Sequence, residues 1–394
     1  MFYFVSRANG SDSYTGSLEA PFKTVAKAIQ AATTGDTIYL RGDTYPERVV
    51  LSKSITLTAF KTDKGTEEVT IIPNAGQDGD AVLITGNNST LSDVHVNGIN
   101  RVKVIAILAH DVAVKRCEVF NGYGKVTGQY GHGIIVSDTP ACYNIALDDN
   151  TIHHVGAFET ANDGFCHAVY SACPGMRIRG GEVHTIGGHA VHWYASQGGD
   201  LIVHGMNIHD TRVGIGLYQS TSLAYNNIIQ RTVQSFVVRY GALICLVSNN
   251  TCLNNGIGID IAELSDTANL DVANNIFDTG TFAVHAENSV PTLAKVAIHD
   301  NIRANQLLPD AKVTYFSTLQ YSHIEYPFTP YTADFRPLAG NVAIQRAQAY
   351  MQVTTDRDGN PRRYPPSIGA YELYTPVDTS ITYPTIQPRS RRFI

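Results

Sequence analysis

The chain has 394 residues, and its 29 Lys and Arg against 35 Asp and Glu give a formal net charge of −6. This balance excludes the basic footprint that proteins use to bind nucleic acids. Charged residues make up only 16% of the chain and hydrophobic residues 43%, which excludes a disordered chain and does not suit a charge-rich helical bundle. With 33 Gly and 21 Tyr, the composition predicts an all-β protein with many turns.

The opening residues MFYFVSRANGSDS contain neither a basic region nor a cleavage site. We therefore expect no secretory signal, either because the protein does not use that route or because a signal has been removed. No apolar run approaches the roughly 18 residues of a membrane span, so we expect none. The cysteines show neither CxxC nor zinc-site spacing, and we expect buried free thiols at Cys117, Cys142, Cys166, Cys173, Cys245 and Cys252.

A short helix is predicted near the N-terminus. Pro21 suits the first turn of a helix, and apolar residues follow it at helical spacing. These residues are Phe22, Val25, Ala26 and Ile29. We therefore predict an N-terminal cap with one helix over residues 1–50, followed by strands and turns over 51–305.

One short unit recurs through this strand region, in which a polar residue, usually Asn, precedes an apolar step. Its copies are DNTIHHVG, GEVHTIGG, MNIHDTRV, NNIIQRTV, NNTCLNNG and NNIFDTGT, around Ile152, Val183, Ile208, Ile229, Cys252 and Ile276. The spacings are 31, 25, 21, 23 and 24 residues. A repeat of this length with short strands and no helix predicts a parallel β-solenoid, because one coil cannot bury its inner face alone. We expect the repeated Asn to occupy left-handed turns and to bond its neighbours in the stack.

The repeat fades after residue 305. The segments DFRPLAGNVAI and TTDRDGNPRRYPPSIGAYEL are irregular, so we predict a closing segment over 306–374 that covers the open edge of the last coil. The remaining residues lack a core pattern. We predict an extended arm over 375–394 that packs against another surface.

These features resemble the right-handed parallel β-helix superfamily, which includes pectate lyases, alginate lyases, alginate epimerases and phage tailspikes. The segment YFVSRANGSDSYTGSLEAPFKTVAKAIQAATTGDTIYL is similar to the N-terminal cap of many such proteins. The segments DFRPLAGNVAI, DRDGNPR and SIGAYE are similar to their C-terminal end. The resemblance covers about residues 3–374. It implies an all-β fold, a right-handed parallel β-helix (solenoid) with an N-terminal helical cap, but not one activity, because this fold carries many chemistries.

The last residues, YPTIQPRSRRFI, are similar to a short segment rich in Pro, Ser and Arg in tail-associated phage proteins. This resemblance implies a phage tail fibre or tailspike component, located in the virion tail or outside the cell. It also implies a homotrimer whose arm contacts other tail proteins. The expected binding partner is a host surface polysaccharide, and neither nucleic acid nor a membrane is expected as a partner.

Side chains of a β-strand alternate between two faces, so the second strand of each repeat can be divided into columns. We take as core the column Ile134, Val169, Val191, Ile215, Phe236 and Ile257. The outward residues then form two ladders. The first is Ile135, Tyr170, His192, Gly216, Val237 and Gly258, and the second is Ser137, Ala172, Tyr194, Tyr218, Arg239 and Asp260. Neighbouring coils lie about 4.8 Å apart, so residues one or two coils apart can reach one sugar ring.

Aromatic residues on this outward face are predicted to bind substrate. Tyr170 and Tyr194 offer flat rings that can pack on the C–H face of a pyranose. Trp193 points inward on this register and is a binding candidate only if a bulge turns it outward.

The same face holds the predicted catalytic residues. Arg239 could hold a uronate carboxylate, and His192 or Tyr218 could serve as general base or acid on the proton beside it. Asp260 completes this set. Such groups would support the proton abstraction of a lyase or an epimerase.

Two alternatives use the same features differently. An exposed aromatic ladder can bind a glycan without cleaving it, or form a subunit contact. The carboxylates Asp260 with Glu263, or Asp210 with Asp163, could form the acid pair of a glycoside hydrolase. A spacing of three places Asp260 and Glu263 on opposite faces unless the strand has ended.

Histidines recur in two columns, one of His153, His184 and His209, and one of His132, His167 and His189. We interpret both as structural ladders rather than metal sites, since no carboxylate accompanies them at regular spacing. Calcium would require clustered acids, for which Asp148, Asp149 and Asp163 are the only hints. We therefore predict no cofactor, with calcium as the weaker alternative.

Three functions remain open from the sequence. The first is a phage tail fibre or tailspike that binds host surface polysaccharide and could degrade it. The second is a secreted polysaccharide lyase or C5-epimerase acting on a uronate polymer. The third is a virion structural protein without catalytic activity. The sequence alone does not decide whether the protein is an enzyme.

Overall fold

The structure is a computed structural model that describes residues 1–74, 79–99, 101–122, 130–137, 142–156, 165–194, 199–218, 221–239, 244–286, 295–303, 307–308, 314–315, 318–320, 347 and 349–372. It contains two compact units. Unit 1 comprises Met1–Ile202 and Ile208–Gly216, and unit 2 comprises Val203–Asn207 and Leu217–Ile394. The arm predicted over 375–394 lies outside the described residues.

Helix α1 covers Val25–Ala31 in unit 1. Thr24 caps its N-terminus, because the Thr24 hydroxyl accepts a hydrogen bond from the Lys27 amide at 3.1 Å. Its buried residues are Val25, Ala28 and Ile29. Phe22, which we expected in the helix, precedes it and forms a parallel bridge to Val5. The helix lies where the sequence predicts one, while the role of residues 1–50 as a cap stays a prediction.

Short β-strands make up most of both units. The strands of unit 1 are β1 (Phe2–Val5), β2 (Thr37–Leu40), β3 (Asp43–Tyr45), β4 (Val49–Leu51), β5 (Thr56–Ala59), β6 (Lys61–Thr62), β7 (Gly65–Thr66), β8 (Val69–Ile71), β9 (Val82–Ile84), β10 (Thr90–Ser92), β11 (His95–Asn97), β12 (Lys103–Ile107), β13 (Val112–Lys115), β14 (Glu118–Gly122), β15 (His132–Val136), β16 (Ile145–Asp148), β17 (Thr151–Val155), β18 (His167–Ser171), β19 (Met176–Arg179) and β20 (Glu182–Tyr194). The strands β21 (Asp200–His204) and β22 (Asn207–Tyr218) have residues in both units. The strands of unit 2 are β23 (Thr221–Tyr225), β24 (Ile228–Arg239), β25 (Ile244–Ser248), β26 (Thr251–Ile261), β27 (Asn269–Ala273), β28 (Ile276–Ala286), β29 (Lys295–His299), β30 (Asn301–Arg303), β31 (Leu307–Leu308), β32 (Thr314–Tyr315) and β33 (Thr318–Gln320). Within the ranges given above, no helix has the length and apolarity needed to cross a membrane.

Strands one coil apart pair in parallel, so the coils of each unit stack and share a core. Unit 1 has three series of paired strands, which are β1-β2-β5-β10-β13-β16-β19, β3-β8-β11-β14-β17-β20 and β4-β9-β12-β15-β18-β20. In unit 2 the series are β23-β25-β27-β29-β32 and β24-β26-β28, and β30, β31 and β33 follow β28. The only antiparallel strand pair among the described residues is the β6–β7 hairpin. This is the parallel β-solenoid that the repeat predicts.

The strand register confirms the predicted core column in unit 1 and corrects it in unit 2. Ile134, Val169 and Val191 pair in register, and all three are buried. In unit 2, Phe236 pairs with Ile259 rather than with Ile257. The prediction was wrong there because the coil from β24 to β26 keeps a constant offset of 23 residues along the whole strand. All six cysteines are buried with free thiols.

A buried ladder of asparagines connects the coils of unit 2 at one corner. The Nδ2 group of Asn227 donates to Oδ1 of Asn250 at 3.0 Å, Asn250 donates to Asn275 at 2.9 Å, and Asn275 donates to Asn301 at 3.0 Å. Each Oδ1 also accepts the backbone amide of the preceding ladder residue. The ladder thus confirms the predicted bonding between repeated asparagines, and it satisfies backbone groups that burial would otherwise leave without partners.

The left-handed turn belongs to the residue before each ladder asparagine. Asn226, Asn249, Asn274 and Asp300 have φ between 52° and 59°. Asn and Asp tolerate this region better than other non-glycine residues. The sequence analysis assigned the turn and the ladder to one asparagine, whereas the structure divides them between two neighbours.

The described part of the closing segment, residues 349–372, packs on this corner of unit 2. The buried Arg362 donates from Nη2 to Oδ1 of Asn226 at 2.6 Å and from Nη1 to Glu372 at 3.0 Å. The amide of Gly369 donates to the Asn274 carbonyl at 2.8 Å. Gly369 has φ +91°, and a Cβ there would lie 2.9 Å from the Thr251 hydroxyl. Only glycine combines this backbone conformation with such a close approach.

A second contact of this segment involves a buried histidine. His299 bonds Asp271 through Nε2 at 2.8 Å and Asp300 through Nδ1 at 2.9 Å, and the Tyr350 hydroxyl donates to Asp271 at 2.9 Å. Burial by itself would lower the pKa of His299, but the hydrogen bonds to the two carboxylates outweigh it and raise the pKa to about 9. His299 is therefore protonated at neutral pH.

Replacing Asn250 by alanine should lower the free energy of unfolding by about 3 kcal/mol, because it leaves buried donors and acceptors of two coils without partners. Urea unfolding followed by circular dichroism measures the change. The matched control is Asn9→Ala, an exposed site where a change within about 0.5 kcal/mol is expected. Equal effects of the two substitutions would contradict a structural role for the ladder.

Stability should also fall at alkaline pH through His299. Its folded-state pKa of about 9 lies above the unfolded value of 6.5, so its contribution is complete below pH 6.5 and is lost as the pH rises through 9. The loss should be on the order of 3 kcal/mol in the wild type and absent in His299→Gln. His154→Gln serves as control, because the pKa of this exposed histidine is lowered and it does not titrate in that window. A wild type and a His299→Gln variant with the same alkaline profile would refute the assignment.

Candidate active site

A stack of aromatic and imidazole rings covers part of the outward face of unit 1, and we call it the histidine–tyrosine stack. Its members are His132, His167, Tyr170, His189 and His192. Tyr170 pairs in register with Ile135 on one side and His192 on the other, as the first predicted ladder requires. The Tyr170 ring lies 5.2 Å from that of His132 and 5.1 Å from that of His192, in near-parallel planes.

This packing limits what the stack can do chemically. Both faces of Tyr170 are covered by neighbouring rings, so the tyrosine presents its edge and hydroxyl rather than a flat face to a sugar. Burial lowers the pKa of His192 to about 4, and burial with the nearby His192 does the same for His132. Both are neutral at pH 7 and are weak general bases, since an efficient base has a pKa near the working pH.

Three further predicted residues differ widely in exposure. Trp193 is fully buried and donates its indole N–H to the Cys173 carbonyl at 3.0 Å. The ring belongs to the core, as the register indicated, and a buried ring offers no surface to a glycan; no bulge turns it outward. Tyr194 in unit 1 is exposed, whereas Tyr218 in unit 2 is buried with 7% of its surface accessible.

The other histidine column of unit 1 also stacks. His153 lies 4.9 Å from His184, and His184 lies 5.1 Å from His209, with planes within 8°. Carboxylates accompany this column, contrary to our expectation. Glu118 bonds His153 and Glu182 bonds His209, each at 2.9 Å. The spacing of the carboxylates was missed because they lie two residues before the histidine position, on the same outward face. Within the described ranges, no group of three or more His, Cys, Asp or Glu is arranged to hold a metal ion.

Unit 2 carries a cluster around the buried carboxylate of Asp260, which we call the Asp260 cluster. Oδ2 of Asp260 accepts hydrogen bonds from Arg239 at 2.8 Å and from Gln234 at 2.9 Å. Oδ1 lies 2.7 Å from Nδ1 of His285. The Asp260 side chain is 3% exposed, whereas those of Arg239 and His285 are 27% and 31% exposed. A buried anion therefore holds two accessible side chains in fixed positions.

This geometry prepares His285 for proton transfer. A carboxylate on Nδ1 fixes the tautomer and orientation of an imidazole, so Nε2 becomes the atom that exchanges a proton. Asp260 is also the anchor of Arg239, which brings a positive charge next to the imidazole. The cluster thus combines a positioned base with a cation.

His285 was missed in the sequence analysis, although a signal for it exists. The second ladder placed Arg239 and Asp260 in one column, but Val237 is the residue opposite Asp260. The next residue in that column is His285. The distance from Asp260 to His285 is 25 residues, the same as from Asn250 to Asn275 in the asparagine ladder. Extending each column by the ladder spacing would have identified it.

The predicted carboxylate pairs are not formed in the described part of the chain. Strand β26 ends at Ile261, and Glu263 lies beyond it in a left-handed turn. Asp210 bonds the neighbouring His209 at 2.7 Å, and Asp163 lies outside the described residues. Asp260 is instead bonded to cationic and neutral groups, so the acid pair of a glycoside hydrolase is not supported.

Comparison with solved structures places the chain among polysaccharide-related β-helix proteins. It is similar to the crystal structure of pectate lyase Pel9A, with a TM-score of 0.58, 13% identity and coverage of 94% of this chain and 96% of that one. It is similar to XylC in complex with xylose, with a TM-score of 0.56, 10% identity and coverage of 95% and 98%. For an alginate lyase from Paenibacillus sp. the TM-score is 0.51, the identity 17% and the coverage 67% and 94%. At these identities the likeness shows the fold alone, a right-handed parallel β-helix, as predicted.

The comparison of sequences gives the family. A search of curated proteins found no match. The profile of a family described as "Protein of unknown function (DUF1565)" matches residues 8–303, which is 296 of the 394 residues. The matched range includes all the coils that carry the histidine–tyrosine stack and the Asp260 cluster. This right-handed parallel β-helix protein therefore belongs to the DUF1565 family.

Proposed function

We propose that the protein binds an acidic polysaccharide and abstracts a proton from a uronate residue at the Asp260 cluster. The observation that carries this proposal is the buried Asp260 carboxylate, which bonds both Arg239 and Nδ1 of His285. A uronate needs two things for this reaction, namely a cation on its carboxylate and a base beside the neighbouring C–H group. The cluster offers both on accessible side chains.

The proposed reaction follows from these roles. Arg239 binds the uronate carboxylate and stabilises the negative charge that develops on it. Nε2 of His285 takes the proton from C5, and the electron pair moves toward the carboxylate. In a lyase, the C4–O bond then breaks, a C4–C5 double bond forms and the leaving oxygen takes up a proton. In an epimerase, C5 is protonated again from the opposite face.

Binding is supported by a second part of the molecule. In unit 1 we propose that Tyr194 and the edge of Tyr170 contact the glycan, since both lie on the outward face. His192 is neutral and buried in the stack, so we assign it a hydrogen-bonding role rather than that of a base. The similar structures described as a pectate lyase and an alginate lyase support a polysaccharide as the substrate class.

The first test is enzymatic. The wild type should produce the ultraviolet absorbance of an unsaturated uronate from at least one member of a panel of uronate polymers, or change the C5 configuration seen by NMR. His285→Gln should lower the rate roughly a hundredfold or more, because it removes the base, and Asp260→Asn should also lower it strongly, because it removes the group that orients His285. His154→Gln, an exposed histidine of unit 1, is the matched control and should retain full activity.

Two results would contradict the proposal. One is a wild type that neither cleaves nor epimerises any polymer of the panel. The other is an observed activity that His285→Gln leaves intact, which would move the reaction to another site.

We also propose, on the resemblance of the C-terminal residues YPTIQPRSRRFI to tail-associated phage proteins, that the polysaccharide is a bacterial surface glycan and the protein a trimeric tail component. Sedimentation of the full-length protein should then give the mass of three chains, while a chain shortened after residue 374 should keep its fold by circular dichroism and lose its binding to other tail proteins. A clean monomer with no such binding would leave the free polysaccharide lyase or epimerase as the better proposal.

A further inference from the structure

We propose that unit 1 carries an additional binding site for an acidic sugar residue, in a cleft that we call the Tyr39–Arg116 cleft. The cleft has a volume of about 400 Å³, within the range of small-molecule sites. Its lining residues are Tyr39, Thr58, Ala59, Phe60, Lys61, Ser92, Asp93 and Arg116. It shares no residue with the histidine–tyrosine stack or with the Asp260 cluster, so it stands independently of the proposed reaction.

One wall of the cleft is aromatic and rigid. The rings of Tyr39 and Phe60 lie 5.9 Å apart at 82°, and Phe4 stacks on Tyr39 at 5.4 Å and contacts Phe60 edge-on at 5.6 Å. Arg41 lies over the Phe60 ring at 4.9 Å. These rings do not form a continuous column of covered faces like the stack around Tyr170, because they meet edge to face. Such rings can pack against the C–H groups of a pyranose.

The opposite wall carries charge. Arg116 donates two hydrogen bonds to Asp93, at 2.7 and 2.8 Å, and the Lys61 ammonium lies 3.6 Å from the same carboxylate. Burial by itself would raise the pKa of Asp93, but the hydrogen bonds from Arg116 and Ser92 and the charges of Arg116 and Lys61 lower it to about 2. Asp93 is therefore always ionised near neutral pH, and the wall has a net charge of +1.

The polar wall is held in place by the backbone and by buried hydroxyls. Asp93 and Arg116 both occupy left-handed corners, with φ of 59° and 49°. This conformation is unfavourable for arginine, yet here it places the guanidinium against Asp93. The Ser92 hydroxyl donates to Thr58 at 2.8 Å, and Thr58 donates to Asp93 at 3.2 Å. Asp93 thus fixes the site, while the cations face the solvent with 49% of Arg116 and 58% of Lys61 exposed.

The two walls together specify the class of ligand. The aromatic wall suits a sugar ring, and the excess positive charge selects a ring that carries a carboxylate. The protein as a whole has a net charge of −6, so a local cationic cleft is needed to hold an acidic glycan against general repulsion. A neutral sugar would gain only the aromatic contact.

Isothermal titration calorimetry on the full chain, as wild type and as His285→Gln, tests this site with oligogalacturonate and oligomannuronate as acidic probes and cello-oligosaccharides as the neutral probe. We expect an acidic probe to bind more tightly than the neutral one, with affinity that falls as the salt concentration rises. Lys61→Glu, which reverses the charge of the wall, and Phe60→Ala should each weaken binding roughly tenfold, and Lys64→Glu, an exposed lysine outside the cleft, should weaken it far less.

The proposal is overturned if neither acidic probe binds, or if Lys61→Glu and Lys64→Glu weaken binding equally. Circular dichroism of Phe60→Ala checks that the fold is retained, and Lys61→Glu, at an exposed side chain, keeps the test valid if that variant unfolds. Because the cleft does not contain His285, loss of binding in Lys61→Glu with catalysis on short substrates retained separates this site from the proposed reaction. An inactive wild type that still binds an acidic probe through Lys61 would refute the reaction and leave this site standing.

Discussion

The parallel register between neighbouring coils is the constraint on which the rest of this structure depends. At the corner of unit 2, a left-handed residue turns the chain and the next residue, an asparagine, bonds the coil before and the coil after it. The ladder therefore sets how many residues each coil contains between equivalent positions. Every side chain along the following strand inherits that offset, so the corner decides which residues meet on the surface. The closing segment adds Arg362 to the same corner through Asn226.

Register has different consequences for similar and for different residues. Where rings align, as in the histidine–tyrosine stack, they cover one another, and Tyr170 loses the flat faces that would make it a sugar platform. Burial in that stack also holds His192 neutral. Where unlike residues align, as Asp260 with His285, the coil spacing creates a chemical pair that neither residue forms alone. On this surface, reactive geometry arises at departures from the repeat rather than from its regularity.

Buried carboxylates organise the polar parts of both units. Asp93 in unit 1 and Asp260 in unit 2 each hold a partly exposed cation beside them. Burying an ionised carboxylate without such partners would be costly, so each anion fixes the position of its neighbours. Asp271 acts similarly on His299, although there the partners are themselves buried and the result is structural. The exposure of the cations, rather than the presence of the carboxylate, separates a candidate site from a structural network.

The sequence by itself determined the solenoid, the single N-terminal helix, the asparagine ladder and the stacking of the two histidine columns, because these depend on periodicity and on the local preferences of Asn, Thr and apolar residues. It also brought Arg239 and Asp260 into the candidate set. Only the tertiary structure decided that Val237 rather than Arg239 lies opposite Asp260, that His285 completes the cluster, and that Glu118 and Glu182 accompany the histidines. The physical reason is that coils differ in length by a few residues, and one residue of offset moves a side chain to the other face of a strand. The Tyr39–Arg116 cleft was equally out of reach, because its residues come from strand ends and corners of separate coils that only folding brings together.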